Sequence, residues 1–261
     1  MTWSCFDFDD TYFPSFFGYN SAEERDAMDK EINLLKEKLA RACRILEMMG
    51  LIDHSGHISG RMPGGQTFFI HPQQLSRAEV TPGDMAEVTL KGDWVGGKMN
   101  PPSESPIHAA VYQARQDVNC VVHIHTHYSI LPSIVGVDLV PVCQHGAIFG
   151  SVVPVYGDSE KIDDFEKASN LARALGKSRA VIMKGHGAVI AESTVEAGFV
   201  ASFHLEENAK LFVQASILGK PIPLSEEERK RAGANSFKPG SIQKAWSYFI
   251  EKGRKASIFW D

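Results

Sequence analysis

The chain lacks several things that would have fixed its class at once. No segment reaches the roughly 18 apolar residues of a spanning helix, so a membrane partner is not expected. Met1 to Cys5 carries neither a basic patch nor an apolar core, so no secretory signal is expected there. No basic run stands out. Arg229-Lys230-Arg231 follows Glu226-Glu227-Glu228, which reads as a solvated helix of mixed charge. With a net charge of -5 and a pI near 6.1, a nucleic-acid partner is not expected. Cysteine is sparse: Cys5, Cys43, Cys120 and Cys143 form no CxxC pair, and a reduced, cytoplasmic chain is the simplest reading. Cys43 and Cys120 fall in apolar patterns and read as packing residues. No internal repeat is visible.

What is present is ordinary globular material, 43% hydrophobic and 23% charged over 261 residues. Residues 1–20 differ from the rest, with eight aromatics from Trp3 to Tyr19. Such a segment reads as an arm packed on its own domain or on a neighbouring subunit, or as an intrachain cover for a core edge. Residues 21–261 read as one α/β domain, because strand-like and helix-like pieces interleave without a linker. Ser21-Ala22-Glu23-Glu24 is a capping box opening a long helix that stops at Gly50. Short strands are expected at 58–61, 67–71, 86–90, 94–95, 151–156 and 180–183. Helices are expected from Pro106 to about Ala114, and over 128–135, 163–175, 193–218, 225–234 and 240–256. Ser193-Thr194-Val195-Glu196 is read as the second capping box.

The most informative stretch is Val121-Val122-His123-Ile124-His125-Thr126-His127. Alternate residues of a strand share a face, so these histidines are expected to point the same way where an apolar strand leaves the core. Imidazoles so grouped can converge on one metal ion; the competing reading is surface or hydrogen-bonded histidines. His186, between two glycines after an apolar strand, is the third proposed ligand beside His123 and His125. His127 stays open between a fourth ligand, an outer partner and a substrate contact. Glu104, in Pro101-Pro102-Ser103-Glu104-Ser105-Pro106, is the acid/base candidate, or else a helix-start glutamate favoured by the macrodipole. His108 shares its helical face and reads more simply as a core histidine than as a ligand. Gly56-His57-Ile58-Ser59-Gly60-Arg61 offers amides, a hydroxyl and a guanidinium fork suited to a carboxylate or phosphate.

Taken in order, the loop at 56–61, Ser103-Glu104 with His108, the strand at 121–125 and the turn at 185–187 resemble the class II aldolase/adducin family over about residues 30–218. The resemblance implies a three-layer α/β/α sandwich around a mixed, largely antiparallel sheet. It implies a homotetramer with active sites between subunits, acting on a small-molecule substrate. It also implies one divalent transition metal per subunit (zinc, manganese, cobalt or iron) on His123, His125 and His186, with Glu104 as acid/base. The implied chemistry is C–C cleavage of a hydroxy-carbonyl substrate to an enediolate.

There is one departure from the family's sugar-phosphate aldolases. They usually carry Asn where this chain has His57. The loop looks more like the branch that decarboxylates hydroxylated aromatic or pyridine carboxylates. That points to a substrate with a carboxylate beside a hydroxyl or carbonyl, gripped by His57 and Arg61, with Ser59, Ser103 and His127 as further contacts. Two alternatives keep the scaffold: an iron(II) oxygenase on the same three imidazoles, and an adducin-like interaction domain without turnover.

Overall fold

The computed structural model describes residues 21–260. Eight strands form one sheet: β1 His57–Arg61, β2 Thr67–Ile70, β3 Ala86–Thr89, β4 Trp94–Gly96, β5 Cys120–Ile124, β6 Val155–Tyr156, β7 Ala180–Met183 and β8 Gly187–Glu192. Their order is β4-β3-β2-β1-β5-β8-β7-β6, antiparallel except for the parallel edge pair β6–β7. The helices are α1 Ala22–Met48, α2 Ser105–Ala114, α3 His127–Ile134, α4 Phe165–Leu175, α5 Val195–Leu218, α6 Glu226–Ser236 and α7 Pro239–Lys255.

Strand alternation divides the core in two. Ile58, Phe69, Val122, Ile124, Ile182 and Ile190 face α1, α5 and α7. Phe68, Ile70, Val121, Val181, Val189 and Ala191 face α2 and α4. The sheet therefore lies between two helical layers, and the expected three-layer architecture is the one found. His123 shares the parity of Val121, and His57 and Ser59 alternate with Ile58, so all three belong to the α2 side. The register places His57 directly opposite His123.

Helix starts follow local chemistry. Ser21 caps α1 through the expected box with Glu24, and Gly50, at φ 70°, follows its end. At α5 the expected box is replaced by a single cap. Thr194, one residue later, accepts from the Ala197 amide, and Glu196 is drawn away into a 2.7 Å ion pair with Lys38. The strand expected over 151–156 shrinks to β6, because Pro154 has no N–H to give a ladder. β8, the Gly-Ala-Val-Ile-Ala-Glu run after the His186 turn, is not among the expected strands. Cys43 and Cys120 are buried and free, and burial pushes the Cys43 thiol up to about 12, in keeping with packing roles. Among the described residues no helix is long and apolar enough to cross a membrane. The aromatic segment 1–20 lies outside the described residues.

Candidate metal centre

β5 ends at Ile124, yet His125 still converges with His123. The His125 amide donates to the Leu51 carbonyl, which holds the chain on course for one residue beyond the strand. The two Nε2 atoms lie 2.8 Å apart. His123 Nδ1 is 3.1 Å from the Ala188 carbonyl, an acceptor only, so Nδ1 carries the proton and Nε2 presents a lone pair to the cluster.

His186 arrives from the β7–β8 turn. Gly185 takes φ 63°, the left-handed conformation that costs glycine little. Gly187 is demanded by space: a Cβ there would collide with the Ile124 carbonyl oxygen and stand 3.1 Å from His123 and 3.4 Å from His125. The rings of His123, His125 and His186 meet edge-on, with centroids 4.6 to 5.3 Å apart.

Glu104 closes the group. It occupies the N-cap of α2, but its side chain makes no capping hydrogen bond. The carboxylate turns inward, with Oε1 accepting from the Ile162 amide at 3.3 Å and lying 3.7 Å from His186 Nε2. Oε2 is 3.8 Å from Nε2 of both His57 and His123. The macrodipole reading of Glu104 does not account for this orientation. One donor atom from each of Glu104, His123, His125 and His186 lies within 4.8 Å of the others. Donors about 2.1 Å from a tetrahedral ion sit about 3.4 Å apart, so the set fits a divalent transition metal.

The sequence pattern of the Class II Aldolase and Adducin N-terminal domain matches residues 37–213. The chain belongs to the class II aldolase and adducin family. Human beta-adducin is 29% identical over 85% of this chain and 32% of its own length. The chain thus spans about a third of the adducins it matches. The 3,4-dihydroxyphthalate decarboxylase of Arthrobacter keyseri is 28% identical over 83% of this chain and 93% of its own. An aldolase II superfamily protein from Pseudomonas syringae has a similar structure, with TM-score 0.78 and 25% identity over 91% of this chain and 98% of that one.

In this class II aldolase-like chain the remaining candidates part company. His57 stays at the centre, 1% exposed, with its ring centroid 4.9 Å from that of His123. Ser59 lies behind it, bonded to His108 and Tyr112. His108 is buried and stays out of the ligand group, as a core histidine should. Arg61 is not brought to the site. It sits at the other end of β1, its fork donating to the carbonyls of Tyr112, Arg115 and Val118. Ser103 is half-buried beside Glu104. His127 starts α3 and is exposed, because the extended alternation ends before it. His145 lies elsewhere, paired with Glu207 at 2.5 Å and stacked on His204.

The site is electrostatically prepared for neutral imidazoles. Burial first, and neighbouring imidazoles after it, hold His57 and His123 well below the usual histidine range. Burial and then His186 lower His125. Neutral imidazole is the ligating form. Sequence reasoning missed Glu206, whose carboxylate on α5 accepts from the amides of Tyr128 and Ser129 at 3.1 and 2.9 Å. It fixes the start of α3 just after His125, and nothing in local spacing marks it.

Proposed function

We propose that the chain is a divalent-metal-dependent carbon–carbon lyase acting on a small hydroxy-carbonyl or hydroxyaryl carboxylate. The observation that carries this reading is the convergence of Glu104, His123, His125 and His186 within 4.8 Å. His123, His125 and His186 are the three ligands; zinc, manganese, cobalt and iron all suit imidazole. A bound ion supplies Lewis acidity toward a substrate oxygen, stabilising negative charge as the C–C bond breaks.

The chain's own groups do the rest. Glu104 is held by the Ile162 amide within reach of the cluster, where it takes or gives the proton that cleavage requires. In a decarboxylation the bond from ring carbon to carboxylate breaks, carbon dioxide leaves, and the retained electron pair accepts a proton. Glu104 is the group placed to deliver it. Burial of Glu104, His57 and His123 keeps water from competing for that proton.

Decarboxylation is favoured over aldol cleavage on the loop residue at position 57, where the family's sugar-phosphate aldolases usually carry Asn and this chain has His. The His57 side chain, not an asparagine, faces the site. A homotetramer with sites between subunits is part of the proposal. Exposed Leu131, Ile134, Val135 and Val137, on and just after α3, give an apolar surface beside the His186 turn. The test is carbon dioxide release from 3,4-dihydroxyphthalate and related hydroxyaryl carboxylates by metal-loaded protein. Release that depends on Glu104 supports the reading; no carbon dioxide from these compounds, with an aldehyde released from a β-hydroxy-carbonyl substrate instead, would replace decarboxylation by aldol cleavage.

A further inference from the structure

Behind His57 runs a line of buried polar side chains between β1 and α2. Tyr112 Oη is 2.7 Å from Ser59 Oγ, Ser59 Oγ is 2.6 Å from His108 Nδ1, and His108 Nε2 is 2.7 Å from His57 Nδ1. Tyr112, Ser59 and His108 are 0% exposed and His57 is 1% exposed. At the end of the line, His57 Nε2 is buried without a hydrogen-bond partner, facing Glu104 Oε2 at 3.8 Å.

The line has one direction in which every proton but the last finds a hydrogen-bond acceptor, and the last, on His57 Nε2, faces the Glu104 carboxylate at 3.8 Å. Burial keeps the Tyr112 hydroxyl protonated, so it has a proton to place. Tyr112 therefore donates to Ser59, its only side-chain partner among the described residues. Ser59, having accepted, donates to His108 Nδ1. A neutral His108 then carries its proton on Nε2 and donates to His57 Nδ1. A neutral His57 with a lone pair at Nδ1 must carry its own proton at Nε2. Run the other way, the line would leave the buried Tyr112 proton aimed at no acceptor and would turn the His57 Nε2 lone pair toward the Glu104 carboxylate, which is costly.

We propose that Tyr112, Ser59 and His108 are positioning residues that lock His57 as the Nε2–H tautomer, making it a hydrogen-bond donor to a substrate carboxylate and not a fourth metal ligand. The inference rests on the lyase reading for its substrate, but the tautomer itself is a property of the chain alone. An N–H nitrogen has no lone pair for a metal, whereas His123, with its proton on Nδ1, has one. Two imidazoles facing each other across β1 and β5 thus take opposite tautomers and opposite jobs. A neutral N–H next to Glu104 suits a carboxylate oxygen, because it bonds the anion without bringing a mobile charge to the acid/base.

The experiment is long-range proton–nitrogen correlation on protein labelled with nitrogen-15 histidine. His57→Gln provides the assignment and zinc chloride is the added probe. The expected spectrum has His57 Nε2 protonated and Nδ1 as a hydrogen-bonded lone-pair nitrogen, with neither changing type when zinc is added. His108→Phe keeps a ring in place but removes the donor to His57 Nδ1, and should move both His57 nitrogens toward the averaged shifts of mixed tautomers. An unprotonated His57 Nε2 in the native protein, or loss of its proton on zinc addition, would overturn the proposal, as would a His108→Phe spectrum identical to the native one. If zinc leaves His123, His125 and His186 unmoved, the metal reading fails, and the His57 tautomer is still decided by the same spectra.

Discussion

The Glu104 carboxylate lies 3.8 Å from Nε2 of His123, although Glu104 heads a helix and His123 lies in a strand 19 residues later in the chain. In the proposed reading that approach joins a proton carrier to a ligand. Glu104→Gln keeps the shape and the Ile162 hydrogen bond but cannot carry the proton. Turnover should fall by about 100- to 10,000-fold, while metal content stays within error of the native protein. Full turnover in the variant would remove Glu104 from the acid/base role.

Gly187 is the tightest point of the centre. A methyl group there must push the β7–β8 turn away from the Ile124 carbonyl and from both β5-side histidines. Gly187→Ala should weaken metal affinity by about 10- to 100-fold, the range seen when ligand-supporting contacts are lost. It should also destabilise the fold by about 1–3 kcal/mol through overpacking. Metal titration with thermal melts reads both, and native affinity would show that the turn has slack.

His204, remote from the metal centre, gives a pH signature. Burial, and then the His145 ring stacked on it, lower its pKa from 6.5 to about 3. Below pH 6.5 the unfolded chain takes up a proton that the folded chain refuses. Stability is therefore fully present above the unfolded value and is lost as pH falls toward the folded one. Each unit of that interval costs up to about 1.4 kcal/mol. His204→Phe keeps a ring against His145 and Phe237 and removes the titration, so its melting temperature should fall less between pH 7 and pH 5 (about one and a half units of the interval). Parallel pH profiles for the two proteins would contradict this.

The convergence of His123, His125 and His186 with Glu104 was legible in the sequence because each sits beside a strong local signal. Those signals are an apolar strand with alternating histidines, a Gly-His-Gly turn and a proline-flanked helix start. His127, left open by the sequence, leaves the ligand face for a local reason: the extended period ends at Ile124, and the Glu206 carboxylate starts a helix there. Glu206 is almost 80 residues from Tyr128, beyond any spacing argument. Arg61 was grouped with His57 because they share a loop motif, but a five-residue strand carries them to opposite ends. The Tyr112–Ser59–His108 line needs β1 and α2 packed together, and nothing in either segment alone records that contact. β8 was hidden because a short apolar run after a turn has no period to separate it from a packing segment.

The central claim is that three histidines hold a metal, and metal content per chain tests it most directly. Protein purified without chelator, beside His125→Ala, should contain about one transition-metal ion per chain, lost in the variant. A native protein with no bound metal, and no uptake on titration with zinc, manganese, cobalt or iron(II), would contradict the account.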